Sequence, residues 1–274
     1  MKIKYFGTAA YEGIPSLFCN CRVCKLSREK GGKNLRTRSQ ALIDDSILID
    51  FNADTVAHYQ KFNFDWNKID ACLITHSHSD HLYPADLEMA AKGYSHEHRP
   101  INFFADEKGY NLILPYVDIT KNAVSVAKVS VGKEFSVSNE KYHILPLRAN
   151  HDVNSSPVIY SIESNGKKIL YANDTGMFFT ETLNSLTEHA PFNLISLDCT
   201  GGLNSEEEYI NGHMKLSTTI QMVRILREHK IIDERTIIVL NHFSHNGCAT
   251  YDELNSEAEK YGFIVSYDGL EIEF

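Results

Sequence analysis

Apolar runs of three to six residues recur along this chain between polar, turn-rich segments, and most of them predict strands rather than helices. They cover residues 2–6, 41–43, 47–50, 71–75, 101–105, 143–147, 158–163, 168–172, 194–198, 237–241, 263–267 and 270–274. Asn165-Gly166 and Asp268-Gly269 are turn dipeptides between two such runs, so each predicts a hairpin, and Asp44-Asp45 predicts a third. The spacing lengthens to three and four residues over 84–92, 217–229 and 251–261, which predicts helices there. In the second of these, Leu216, Ile220, Val223 and Leu226 form one apolar stripe. Ser217 or Thr218 can cap its start, and Arg227, His229 and Lys230 suit the negative end of its dipole. Hairpins in each half, with helices between and after them, predict two sheets packed face to face and covered by helices, a four-layer α/β sandwich. No repeat and no Pro/Gly/Ser-rich linker divides the chain, so residues 1–274 are expected to form one domain.

Composition narrows the partners. With 43% hydrophobic and 23% charged residues the chain can fill a core, which excludes a disordered or fibrous protein. A formal charge of −9 and a pI near 5.8 argue against a surface built for long nucleic acid, which needs a basic face. The N-terminal residues carry no apolar signal region, and no apolar stretch approaches the roughly 18 residues that span a bilayer. Cytoplasmic residence without a membrane partner is therefore the simplest expectation. The six cysteines lie at 19, 21, 24, 72, 199 and 248. Three of them crowd into one short segment, where a Cys19–Cys21 bridge would be badly strained and a metal site is the better reading.

The chemistry concentrates in Thr75-His76-Ser77-His78-Ser79-Asp80-His81, directly after the apolar run Ala71-Cys72-Leu73-Ile74. Four imidazole or carboxylate groups within six residues, at a strand end, form a donor set suited to zinc, manganese or iron. His151, Asp174 and His242 each lie just past another predicted strand. Asp50, closing the run at 47–50, could orient a ligand imidazole or simply serve a turn. Cys19-Asn20-Cys21-Arg22-Val23-Cys24 offers three thiolates, one ligand short of a closed zinc site. His245 is the best fourth ligand and Cys248 a rival; a redox cluster or plain surface thiols are the alternatives. Cys72 and Cys199 sit in apolar strands and are expected to pack.

The His-x-His-x-Asp-His run, followed by His, Asp and His at successive strand ends, resembles the metallo-β-lactamase superfamily over almost the whole chain. That resemblance implies the αββα sandwich and a dinuclear site of manganese or zinc. His76, His78 and His151 would hold one metal, Asp80, His81 and His242 the other, and Asp174 would bridge them. The opening Gly7-Thr8-Ala9-Ala10-Tyr11-Glu12-Gly13-Ile14-Pro15, the cysteine segment and His242-Phe243-Ser244-His245 resemble the PhnP-type cyclic phosphodiesterases of phosphonate breakdown. Members of that family pair the dinuclear site with one structural zinc, here implied at Cys19, Cys21, Cys24 and His245. They open 5-phosphoribosyl 1,2-cyclic phosphate to ribose 1,5-bisphosphate, and family habit implies a homodimer. His213, in Asn211-Gly212-His213-Met214, matches the residue beside the scissile phosphate that protonates the leaving oxygen; with Asp80 it completes the expected catalytic groups.

The sequence departs from the family at Ser79, where glycine is common, at Asn173, and in a local elaboration over 93–100 with His96 and His98. Arg36, Arg38 and Arg148 could meet a second phosphate or be solvated surface charge. Rival functions on the same scaffold are a tRNA 3′-processing nuclease, a thioesterase or a lactonase. From another class comes a non-catalytic binding protein like the PqqB relatives.

Overall fold

In a strand, alternate side chains face opposite ways, so a strand buried on both faces favours a near-continuous apolar run; residues 47–49 and 71–73 are unbroken, and residues 194–198 are interrupted only by Ser196 before ending at Asp198. The structure, a computed structural model, describes residues 1–206 and 211–274. The first sheet comprises Lys2–Gly7 (β1), Gln40–Ile43 (β2), Ile47–Ile49 (β3), Ala71–Leu73 (β4), Ile101–Ala105 (β5) and Val124–Lys128 (β6). The second comprises Phe135–Val137 (β7), Tyr142–Arg148 (β8), Val158–Ser164 (β9), Lys167–Ala172 (β10), Leu194–Asp198 (β11), Ile237–Asn241 (β12) and Ile264–Val265 (β13). Glu271–Glu273 (β14) then returns to the first, giving two seven-stranded sheets in the orders β14-β1-β2-β3-β4-β5-β6 and β13-β12-β11-β10-β9-β8-β7.

The alternation sorts each strand's residues into layers. Ile47 and Ile49 of β3 face the second sheet, where Tyr160, Tyr171 and Leu194 meet them, while Leu48 between them faces outward to Phe51, Phe64 and Leu87. Helices Thr55–Phe62 (α2) and Glu107–Ile119 (α3) cover that outer face. On the other side, Leu197 and Leu240 pack under Thr180–Glu188 (α4), Leu216–Glu228 (α5) and Tyr251–Ala258 (α6) through Leu186, Met222, Leu226 and Leu254. The four-layer sandwich expected from the sequence is the architecture observed. Gly7 shows why the first strand ends in glycine: a Cβ there would stand 1.9 Å from the Arg38 carbonyl oxygen.

Two turn expectations hold and one changes. Asp44 and Asp45 (φ 49° and 58°) join β2 to β3, and Asn165-Gly166 (φ 50° and 71°) join β9 to β10, both as antiparallel pairs. Asp268-Gly269 makes no hairpin; it carries the chain from β13 in one sheet to β14 in the other. The segment expected as a helix at 84–92 is a 3-10 stretch, Pro84–Ala90, in which only Leu87 is buried, too little apolar surface to hold a full helix face. Helix α5 begins at Leu216, so Ser217 and Thr218 lie inside it; Thr218 Oγ1 instead accepts the backbone N–H of Lys215 at 2.8 Å. Arg22–Lys30 (α1), α2, α3 and α4 carried no helix expectation, nor did β6 and β7 a strand one. Among the described residues, no helix is long and apolar enough to cross a membrane.

Candidate metal centre

Strands β3 to β6 run parallel in one sheet and β10 to β13 parallel in the other, and the carboxyl ends of such strands are where chains of this class build sites. Asp50 follows β3, the 76–81 loop follows β4, Asp174 follows β10, Asp198 ends β11 and His242 follows β12. His151 arrives on the loop after β8. Asp50, Asp174 and His242 all take positive φ (67°, 48° and 63°), the sharp bends that turn their side chains off the strand line.

Two donor clusters result. His76 Nε2 lies 2.9 Å from His78 Nδ1, which lies 3.3 Å from His151 Nε2. Asp80 Oδ2 lies 3.3 Å from His81 Nε2 and 3.9 Å from His242 Nε2. Asp174 joins the two: its Oδ2 is 2.9 Å from His81 Nε2 and 3.0 Å from His242 Nε2, and its Oδ1 is 3.7 Å from His151 Nε2. Two nitrogens on one tetrahedral ion, at bonds of about 2.0–2.1 Å, stand about 3.3 Å apart, so the spacings fit a shared metal. His81 Nε2, His242 Nε2 and Asp174 Oδ2 are moreover buried without a hydrogen-bond partner although they nearly touch. Buried lone pairs converging on one another are costly unless something positive lies among them, and divalent cations satisfy all three at once.

The second nitrogen of each imidazole is held from behind. His81 Nδ1 bonds Asp50 Oδ2 at 2.7 Å, and Asp50 is itself fixed by the Thr75 backbone N–H (2.8 Å) and hydroxyl (2.9 Å). His242 Nδ1 meets Thr200 Oγ1 at 2.8 Å, and His151 Nδ1 donates to the Gly212 carbonyl at 3.0 Å. His78 Nε2 lies 3.5 Å from Asp152. Such partners set tautomer and ring angle, leaving the other nitrogen for the metal. Burial holds His76 well below the ordinary histidine range and lowers His151, which keeps both in the unprotonated form a ligand requires. Burial pushes the Asp80 and Asp174 carboxyls up, but the adjoining His81 and His242 outweigh it and keep both below the usual carboxylate range.

His213 stands at the edge of this cluster, its ring 4.9 Å from His151 and stacked 5.6 Å from His242. Its Nδ1 is 3.0 Å from Asp198 Oδ2; burial lowers the imidazole, and the Asp198 carboxylate more than reverses this and raises it. Asp198 was missed in the sequence reading, where it only ended an apolar run. It accepts from the backbone N–H groups of Asp174 (3.1 Å), Thr200 (3.0 Å) and Met214 (2.9 Å), so it organises three loops. The available signal was its position, an acid at a strand end like Asp50.

Cys19, Cys21, Cys24 and His245 bring their ligand atoms within 4.8 Å of one another. His245 Nδ1 is 3.7 Å from Cys19 Sγ and 3.6 Å from Cys21 Sγ, close to the about 3.5 Å expected of two ligands on a tetrahedral zinc. Backbone N–H groups of Ser16, Cys21 and Cys24 point at the sulfurs, as thiolates favour. Cys248 is outside this group: it is exposed and its thiol donates to the Asn246 carbonyl. Cys72 and Cys199 are buried in the core as expected. The three arginines are all engaged. Arg36 is buried on Thr8 and the Ser266 carbonyl, Arg38 pairs with Asp54, and Arg148 pairs with Glu181.

Comparison with known proteins agrees with the fold. A structure of zinc-bound PqqB from Methylobacterium extorquens is similar at a TM-score of 0.78, with 17% identity and complete coverage of both chains. A diphosphatase from the PhnP family is similar at 0.76, with 19% identity over 100% of this chain and 97% of that one. Human tRNase Z, short form, is similar at 0.64, with 15% identity over 100% and 99%. Among curated sequences, an octanoyltransferase of Porphyromonas gingivalis is 35% identical over 85 residues, 30% of this chain; the chain spans only 16% of that relative's length. The model of the Beta-lactamase superfamily domain matches residues 46–242, from the turn before β3 to the last histidine of the cluster, and the chain belongs to that family.

Proposed function

We propose that this protein is a dinuclear metal-dependent phosphodiesterase acting on a small cyclic phosphodiester, with 5-phosphoribosyl 1,2-cyclic phosphate the substrate of choice and ribose 1,5-bisphosphate the product. The observation that carries the reading is His213, which adjoins both donor clusters, yet has Nδ1 committed to Asp198. Its Nε2 is left for substrate. When bound, two divalent ions, manganese or zinc, supply Lewis acidity that acidifies water and neutralises phosphate charge. His76, His78 and His151 would hold one, Asp80, His81 and His242 the other, and Asp174 would touch both.

His213 then acts on the leaving side. The Asp198 carboxylate stabilises the imidazolium and keeps Nδ1–H pointed away from substrate, so that Nε2–H is the proton delivered to the departing sugar oxygen. Thr200, bonded to Asp198 and to His242 Nδ1, keeps the donor and the ligand in register. Of the three arginines, Arg148 is three residues before His151 and exposed on both sides of its Glu181 pair, so it can exchange that partner for a second phosphate. A structural zinc at Cys19, Cys21, Cys24 and His245 completes the cofactors. Phosphorus NMR of manganese-loaded protein tests the reading. Opening of the ribosyl cyclic phosphate, but not of a 2′,3′-cyclic nucleotide, is the expected result. No turnover of either with both metals bound overturns it.

A further inference from the structure

On the helix-facing side of the first sheet, between α2 and the Pro84–Ala90 stretch, lies a cavity of ≈ 470 Å³ that the metal chemistry does not use. Aromatic side chains make up part of its lining: Phe51 stands in a T-shaped pair with Trp66 (6.1 Å, 67°) and with Phe103 (5.6 Å, 90°), and Tyr59 joins them. Asp86 is the acid in this lining, and no lysine or arginine shares it among the described residues. The Asp86 carboxylate has neither a hydrogen-bond nor an ion-pair partner among those residues, and burial alone pushes it above the usual carboxylate range. His98 also lines the cavity, but its ring nitrogens lie 3.0 and 3.1 Å from the carbonyl oxygens of Arg99 and Ala90.

A partly desolvated carboxylate among aromatic faces selects ligands by charge. A neutral apolar molecule would bury it further without a partner, and an anion would be repelled. A cation with an apolar body satisfies both features, pairing with the carboxylate while ring faces attract its charge. We propose that this cavity is a binding site for a small organic amine carrying an aromatic or aliphatic body, separate from the metal centre.

Trp66 is the chain's single tryptophan, so its fluorescence reports the cavity directly. The whole metal-loaded protein is titrated with phenethylamine, with the neutral phenethyl alcohol and with the anionic 3-phenylpropionate. The amine is expected to shift Trp66 emission saturably and to bind at least about tenfold more tightly than the alcohol. Asp86→Asn, at a half-exposed position that leaves the core intact, should abolish that preference while leaving the alcohol's weak binding unchanged. Equal binding of amine and alcohol, or a preference that survives Asp86→Asn, overturns the proposal. So does a Trp66 signal that no probe moves because another copy of the chain already covers the cavity.

Discussion

Oδ2 of Asp198 receives the His213 imidazole at 3.0 Å through Nδ1 and the backbone N–H of Asp174 at 3.1 Å, with the Thr200 hydroxyl as a third donor at 3.0 Å. One buried carboxylate thereby sets both the proposed proton donor and the carboxylate that joins the two donor clusters. A mirrored arrangement serves the other sheet, where Asp50 holds His81 and Thr75.

Removing the donor should therefore cost most of the rate and removing its support somewhat less. His213→Ala is expected to lower kcat on the ribosyl cyclic phosphate on the order of 100-fold or more, and Asp198→Asn about 10- to 100-fold. Because Asp198 acts partly through His213 and also fixes Asp174, Thr200 and Met214, the double variant should be slower than His213→Ala, but by less than the full Asp198→Asn loss. Additive losses in steady-state kinetics would show that Asp198 works independently of the histidine.

Asp50→Asn should act on metal affinity rather than on the proton donor. With its Nδ1 partner weakened, His81 is expected to hold its ion about 10- to 100-fold less tightly, read by competition with a chelating dye. Chelation of wild-type protein should also lower Tm, since His81 Nε2, His242 Nε2 and Asp174 Oδ2 are buried without partners of their own. An unchanged Tm on full chelation would argue that no ion is held there.

Glu12 accepts the Ser244 hydroxyl and lies 3.6 Å from His245 Nε2, an ion-pair contact behind the ring whose Nδ1 faces the thiolates. Glu12→Gln keeps the shape and loses the charge. Zinc retention by the Cys19, Cys21, Cys24 and His245 set should fall about tenfold in chelator competition. Hydrogen exchange should quicken at 8–19 and 242–248, which are stitched together through Thr8, Ala10 and Phe243. Zinc held as tightly as in wild type would reduce Glu12 to a partner of Ser244 alone.

A pH signature is expected away from the metals. Arg22 and the Thr250 backbone N–H hold the Glu253 carboxyl at about 2 rather than 4.5. The folded state thus binds this proton more weakly than the unfolded chain, so the pairing stabilises fully above pH 4.5 and its benefit is lost as pH falls toward about 2. The pair is half-exposed, and solvent screening limits it to about 1 kcal/mol or less. Denaturant titrations of wild type and Glu253→Gln should differ by that amount at neutral pH and converge in acid. A constant offset across the window would assign the difference to the capping bond instead.

The strands of both sheets' centres and the ligands after them were legible because they rest on local information. A run such as Ile47–Ile49 is apolar at every position because both its faces are buried, and His76 to His81 carry their density within one loop. The edge strands β6 and β7 are half-exposed and have no such run, while α3 carries Gly109 and Pro115, which disguise a helix held by packing on β5 and β6. Asp198 looked like a strand end, Asp268-Gly269 like a hairpin, and Arg36 like a free cation. Each was decided by partners 15 to 260 residues away: Asp198 by Asp174 and His213, Asp268 by Thr8 and Thr37, and Arg36 by Thr8 and the Ser266 carbonyl. Spacing along the chain encodes which way a side chain faces and how many donors share a loop. Which distant groups desolvate it, charge it or hold its second nitrogen is set only when the two sheets close on each other.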